Sequence, residues 1–126
     1  MPFVRIHCSP RHSAALKETI SRSIHESLME AFSIPSDDYF QVFHEVPDTD
    51  RRHPSSYLGV TYGNDVLFIE IVARGGRSPE QKKKLYALIA GKITDRTPLQ
   101  PGDVFIVLVE NTVECWSFGN GAAQYL

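Results

Sequence analysis

Apolar residues recur along this chain with two different periods, and the switches between the periods mark its elements. Pro2 to Cys8 is rich in β-formers and predicts a strand. From Ser13 onward Leu16, Ile20, Ile24, Leu28 and Phe32 fall every fourth residue, an apolar stripe down one face of a helix that ends before Pro35. Tyr39 to Val46 reads as a second strand. Pro47 to Asp65 carries Pro, Gly, Asp, Arg and Ser and reads as a long connection. Val66 to Ala73 predicts a third strand. A second helix follows, with Ser78 as its cap, Pro79 at the first helical position, Gln81 completing a capping box, and Leu85, Ile89 and Ile93 as its core stripe. Pro98 and Pro101 bracket the helix exit, and the unbroken apolar run Val104 to Val109 predicts a fourth strand. A tail with Trp116, Phe118, Gly119 and Gly121 closes the chain.

The order strand, helix, strand occurs twice, and the residues repeat with it. Offset by 65 residues, Phe3 aligns with Phe68, Ile6 with Ile71, Ser13 with Ser78 and Lys17 with Lys82. Ile24 meets Ile89, Asp38 meets Asp103, Phe40 meets Phe105, Val42 meets Val107 and Glu45 meets Glu110, without a gap. The expected repeats are residues 2–46 and 66–111, with a tail at 112–126, in one domain over residues 1–126. A strand-helix-strand crossover is right-handed, so the strands of each half run parallel with the helix on one face. The expected fold is therefore α+β: two fused β-α-β units forming a four-stranded mixed sheet with two helices on one face. Two helices leave the other face uncovered, and the third and fourth strands are apolar on both sides. A homo-oligomer is expected to cover it.

Composition narrows the class further. With 126 residues, 42% hydrophobic and 22% charged, the chain is long enough for a core of its own. A net charge of -2 with scattered Lys and Arg argues against a nucleic-acid partner. The apolar runs are too short to span a bilayer, and the N-terminus lacks the pattern of a secretory signal, so no membrane role and a cytoplasmic location are expected. Cys8 and Cys115 are expected as free buried thiols. The five histidines show no ligand spacing on a helix face, so neither a metal nor another cofactor is expected.

The repeat places the chemistry. If a pseudo-two-fold relates the halves, the first and third strands meet antiparallel at the centre of the sheet. Pro2 then lies beside the C-terminal end of the third strand, which carries Arg74 and Arg77, and Asp38 at the start of the second strand lies at the same end. Taken singly, Pro2 merely permits removal of Met1, Asp38 is a helix-exit residue, and the arginines are loop charges. Together they bring an amine, a carboxylate and two guanidiniums next to a helix N-terminus, which favours anions. A free amino terminus titrates near 8, at about 7.7 to 8.0, so small shifts make it a base or an acid at neutral pH. Burial among Phe3, Trp116 and Phe118 would lower that value and Asp38 would raise it. Arginines bind a carboxylate in a planar fork and polarise a neighbouring carbonyl, which points to a small oxo-carboxylate substrate.

These residues resemble the tautomerase superfamily, whose members are repeated β-α-β units with a catalytic amino-terminal proline. Pro2, the run Gly76 to Gln81 and the length of two fused units carry the likeness over the whole chain. Glu30-Ala31-Phe32 followed by Ile34-Pro35, then Asp38 and Gln41, and above all the tail Trp116-Ser117-Phe118-Gly119-Asn120-Gly121 with Ala123-Gln124-Tyr125-Leu126, are similar to the malonate semialdehyde decarboxylase group. The resemblance implies the tautomerase, or macrophage migration inhibitory factor-like, fold and a homotrimer. It also implies Pro2 as acid-base residue, Asp38 holding a water or setting the Pro2 pKa, Arg74 and Arg77 binding and polarising substrate, and Trp116, Phe118 and Tyr125 walling the pocket. The decarboxylase has Arg-Pro-Arg where this chain has Arg74-Gly75-Gly76-Arg77, one residue longer.

Three functions follow from different classes. Neutral Pro2 would make a keto-enol tautomerase acting on small 2-oxo acids. Protonated Pro2 would make a lyase, a malonate semialdehyde decarboxylase or hydratase. A cytokine-like binding protein would need neither.

Overall fold

The computed structural model describes residues 1–126, and its central feature is a sheet in the order β2-β1-β5-β6. β1 spans Pro2–Cys8, β2 Gln41–Glu45, β5 Leu67–Arg74 and β6 Val104–Asn111. β1 and β5 pair antiparallel at the centre, with Pro2 opposite Ala73, and each has a parallel partner outside it, β2 beside β1 and β6 beside β5. This is the pseudo-two-fold arrangement that the repeat predicts. Along β1 the side chains alternate, with Val4, Ile6 and Cys8 buried and Phe3, Arg5 and His7 on the opposite face.

The helices α1 (Ala14–Phe32) and α2 (Pro79–Arg96) cover the buried face. The Ser13 hydroxyl accepts from the Leu16 amide at the start of α1, and Ser78 with Gln81 forms the full capping box of α2. Ile20, Ile24 and Leu28 of α1 and Leu85, Ile89 and Ile93 of α2 meet Val4, Ile6, Ile69 and Ile71 in one core. Each such side chain contributes about 1.5 to 3 kcal/mol by leaving water. The repeat extends to ion pairs. Lys17 of α1 pairs with Glu45 of β2, and their counterparts 65 positions on, Lys82 and Glu110, pair at 2.5 Å.

The second strand is shorter than the span Tyr39 to Val46 that its sequence predicts, although Phe40 and Val46 still hydrogen-bond to β1 through Val4 and Cys8. The connection Pro47 to Asp65 is not wholly irregular. It holds a hairpin of β3 (Ser56–Tyr57) and β4 (Val60–Thr61), strands too short to show alternation in a sequence. A Cβ at Gly102 would stand 2.6 Å from the Thr61 carbonyl oxygen, so glycine there lets the hairpin lie against the approach to β6. Arg51 in the same connection is buried and donates to the carbonyls of Val46, Val66 and Asn64 at 3.0, 3.0 and 2.9 Å, besides pairing with Asp48. The expectation of two buried thiols holds for Cys8 alone; Cys115 is exposed, because it lies in a short 3-10 turn beyond β6 and outside the core.

The other face of the sheet carries no helix. Val42, Phe105, Val107 and Val109 are each 40 to 44% exposed on it. No helix is long and apolar enough to cross a membrane.

Candidate active site

The end of the sheet where β1 begins gathers the predicted residues. Pro2 is buried and paired with Ala73 of β5, one residue before Arg74. Asp38 arrives from the other side. α1 ends where Ser33 takes a left-handed conformation, and the Pro35–Asp38 turn that follows, closed by the Asp38 amide bonding to the Pro35 carbonyl at 3.1 Å, hangs over this end of the sheet. The result is an ion pair of 2.5 Å between the chain's amino group, on Met1, and the Asp38 carboxylate. Both are shielded from solvent, with side-chain exposures of 3% and 12%.

The two arginines sit differently. Arg74, the last residue of β5, is exposed. Arg77 is half-buried: its guanidinium lies 4.8 Å over the Phe32 ring at the end of α1 and donates to the Arg74 carbonyl at 2.7 Å. Burial, and next the neighbouring Arg74 charge, push the Arg77 pKa down, while Asp38 and Glu110 oppose that shift. Arg77 thus lies within the field of both the carboxylate and its sister arginine. The longer Arg74-Gly75-Gly76-Arg77 loop has defined roles for its glycines. The Gly75 amide extends the ladder to the Asn111 carbonyl at 2.9 Å, and Gly76 turns the chain at φ 110, a conformation that side chains resist.

Beside this cluster, on the helix-free face, lies a cavity of about 650 Å³ lined by Phe3, Tyr39, Phe40, Asn111, Trp116 and Phe118 among others. The tail folds back to form its wall. Trp116 stacks on Phe118 at 5.6 Å, Phe118 meets Phe40 at 5.7 Å, and the Trp116 indole N–H donates to Asn111 Oδ1 at 2.6 Å. Two of the three expected wall residues, Trp116 and Phe118, line the cavity. Tyr125 does not, but meets the edge of Phe118 at 5.6 Å and is half exposed. Pro2, Asp38, Arg74 and Arg77 flank the cavity through their neighbours Phe3, Tyr39 and Asn111 rather than lining it. The aromatic wall and the four polar groups therefore adjoin at one end of the sheet.

Tyr39, Phe40, Val72 and Asn111 are lining residues that the sequence alone does not single out. Asn111 did leave a signal: with Glu110 it ends the apolar run Val104 to Val109, and its counterpart in the first repeat is the apolar Val46. No cluster of three or more His, Cys, Asp or Glu is placed to hold a metal ion.

Comparison with known proteins agrees with this architecture. Two family models described as tautomerase enzyme match residues 38–119 and 2–50. The probable tautomerase YusQ of Bacillus subtilis (strain 168) is 39% identical over 126 residues, covering 100% of this chain and 99% of that protein. Among solved structures, FG41 malonate semialdehyde decarboxylase inhibited by 3-bromopropiolate superposes with a TM-score of 0.90 at 30% identity, over 98% of this chain and 93% of that one. A second malonate semialdehyde decarboxylase, described in terms of decarboxylase and hydratase activities, gives 0.91 at 26% identity, over 98% and 95%. With matching family models, a full-length relative and a shared fold, the chain belongs to the tautomerase superfamily.

Proposed function

We propose that this chain, once Met1 is removed, catalyses keto-enol tautomerisation of small 2-oxo acids with Pro2 as the acid-base group. The observation that carries the reading is the Asp38 carboxylate 2.5 Å from the present amino terminus, one residue from the Pro2 nitrogen. With Met1 attached, that nitrogen is an amide and has no basic lone pair. Without Met1 it is a secondary amine beside Asp38, Arg74 and Arg77.

The sign of its pKa shift decides the chemistry. Burial of Pro2 and nearby cations favour the neutral amine and Asp38 favours the ammonium; the tautomerase reading takes the neutral form. Neutral Pro2 takes the enol hydroxyl proton, and the ammonium formed returns that proton to the adjacent carbon. The amine is regenerated and nothing else is consumed. Arginine stabilises the negative charge that develops on the substrate oxygen. Trp116 and Phe118 wall the pocket, with Tyr125 against the edge of Phe118 outside it, and no cofactor enters.

The similarity to malonate semialdehyde decarboxylases supports a second reading, a lyase. There Asp38 prevails and Pro2 stays protonated. It polarises the carbonyl of a 3-oxo acid while the bond to the carboxylate breaks, carbon dioxide leaves, and the enolate takes a proton.

Titrating Pro2 by nitrogen NMR separates the two. A pKa below 7, with turnover of phenylenolpyruvate, supports the tautomerase; a value above 8, with turnover of malonate semialdehyde, overturns it in favour of the lyase. We also assign a homotrimer, the assembly that the family resemblance implies, which would cover Val42, Phe105, Val107 and Val109.

A further inference from the structure

Asn111 closes β6 as the register partner of Arg74, the last residue of β5. Their side chains share a face. Val72 and Val109, two positions earlier on the same strands, lie respectively in the wall of the cavity and exposed on the helix-free face. The period of two puts Arg74 and Asn111 there as well, on strands about 4.8 Å apart. Asn111 lines the cavity directly.

The Trp116 contact orients its carboxamide. An indole N–H only donates, so the atom facing it at 2.6 Å is the amide oxygen. The amide NH2 is thereby turned away from Trp116, and it has no hydrogen-bond partner within the chain. A neutral donor thus stands in the cavity wall, on the strand next to Arg74 and on the same face, held in one orientation by the wall residue Trp116.

We infer that Asn111 is a substrate-binding residue: its NH2 group, with Arg74, holds the carboxylate of the oxo acid, leaving Arg77, on the Asp38 side, to serve the carbonyl. This rests on the reading of the site given above and divides the work of its two arginines. Two donors on neighbouring strands match the two oxygens of a carboxylate, and an uncharged one favours a carboxylate over a neutral ester or amide without adding a third cation. It also couples binding to the wall, because a substrate that pulls on Asn111 pulls on Trp116.

Trp116 is the chain's single tryptophan, so its fluorescence reports this anchor. The test is titration of the processed protein with malonate, a transparent and unreactive dicarboxylate, followed by Trp116 emission. Asn111→Asp keeps an acceptor for the indole but loses the donor; Asn111→Leu loses both and carries no charge. Both are expected to weaken malonate binding at least tenfold, with the emission of the free protein shifted only in the Leu variant. Either variant binding malonate within twofold of wild type, or a wild-type protein unresponsive to malonate, overturns the inference. Pro2→Ala is assayed in parallel. If it turns over oxo acids as fast as wild type while the Asn111 variants lose malonate, the tautomerase reading fails and the binding role stands.

Discussion

The amino group of Met1 and the carboxylate of Asp38 form a shielded pair 2.5 Å apart, across the gap between the first strand and the turn that leaves α1. Nothing in the core requires this pairing. It places a carboxylate next to the backbone nitrogen that becomes the chain's amine when Met1 is gone. Pro2→Ala, which keeps Met1 removable but replaces the cyclic secondary amine with a primary one, is expected to lower kcat/KM for phenylenolpyruvate by about 100-fold or more. Intact-mass measurement on both proteins confirms that Met1 is absent; equal rates in the two would remove Pro2 from the mechanism.

Arg77 is held by its shape as well as its charge, stacked on Phe32 and bonded to the Arg74 carbonyl. Lysine keeps the charge but neither the plane nor the fork. Arg77→Lys is therefore expected to retain less than a tenth of wild-type kcat/KM, and Arg77→Ala less still, with circular dichroism unchanged. Full activity in the lysine variant would show that only the charge matters.

Arg51 ties the connection between the halves together through three carbonyls and Asp48. Arg51→Ala leaves those acceptors buried without a donor, which is expected to cost about 2 to 3 kcal/mol in urea denaturation. A loss below about 0.5 kcal/mol, the range of ordinary surface substitutions, would mean that water replaces the side chain.

His12 gives the stability a pH dependence. It is buried, neither ring nitrogen has a hydrogen-bond partner, and burial lowers its pKa, with Asp65 at 3.6 Å opposing only in part. A folded pKa below the unfolded value of about 6.5 means that the unfolded chain binds the proton first as pH falls. Stability contributed by neutral His12 is therefore complete above pH 6.5 and declines below it, through the folded pKa. Denaturation midpoints measured from pH 7.5 to 5 should show this decline, and His12→Asn should flatten it.

The uncovered sheet face gives the last expectation. Val107 lies on it, 44% exposed, away from the cavity wall. Val107→Asp is expected to convert a trimer into monomers by sedimentation velocity, because an interface cannot bury an unpaired carboxylate. A monomeric wild type would remove the trimer.

Much of this molecule is legible in its residues, for local reasons. The helices announce themselves because a 3.6-residue period and a Ser cap are properties of neighbouring positions: Ser78 caps where expected, and Ser13, where the first helical pattern begins, caps as well. The 65-residue repeat goes further, since two similar units related by a two-fold leave one way to pair their first strands, and β1 does meet β5 antiparallel. That topology alone brings Pro2, Asp38 and the arginines to one end. What tertiary structure decided is finer and has no local signature. Only folding back of the tail separates Trp116 and Phe118, which line the cavity, from Tyr125, which does not, and leaves Cys115 exposed. Arg77 is set apart from Arg74 by a ring from α1, 45 residues earlier in the chain. Asn111 acquires its orientation from an indole N–H that reaches it only because the chain turns beyond β6, a relationship of direction in space that residue order does not encode.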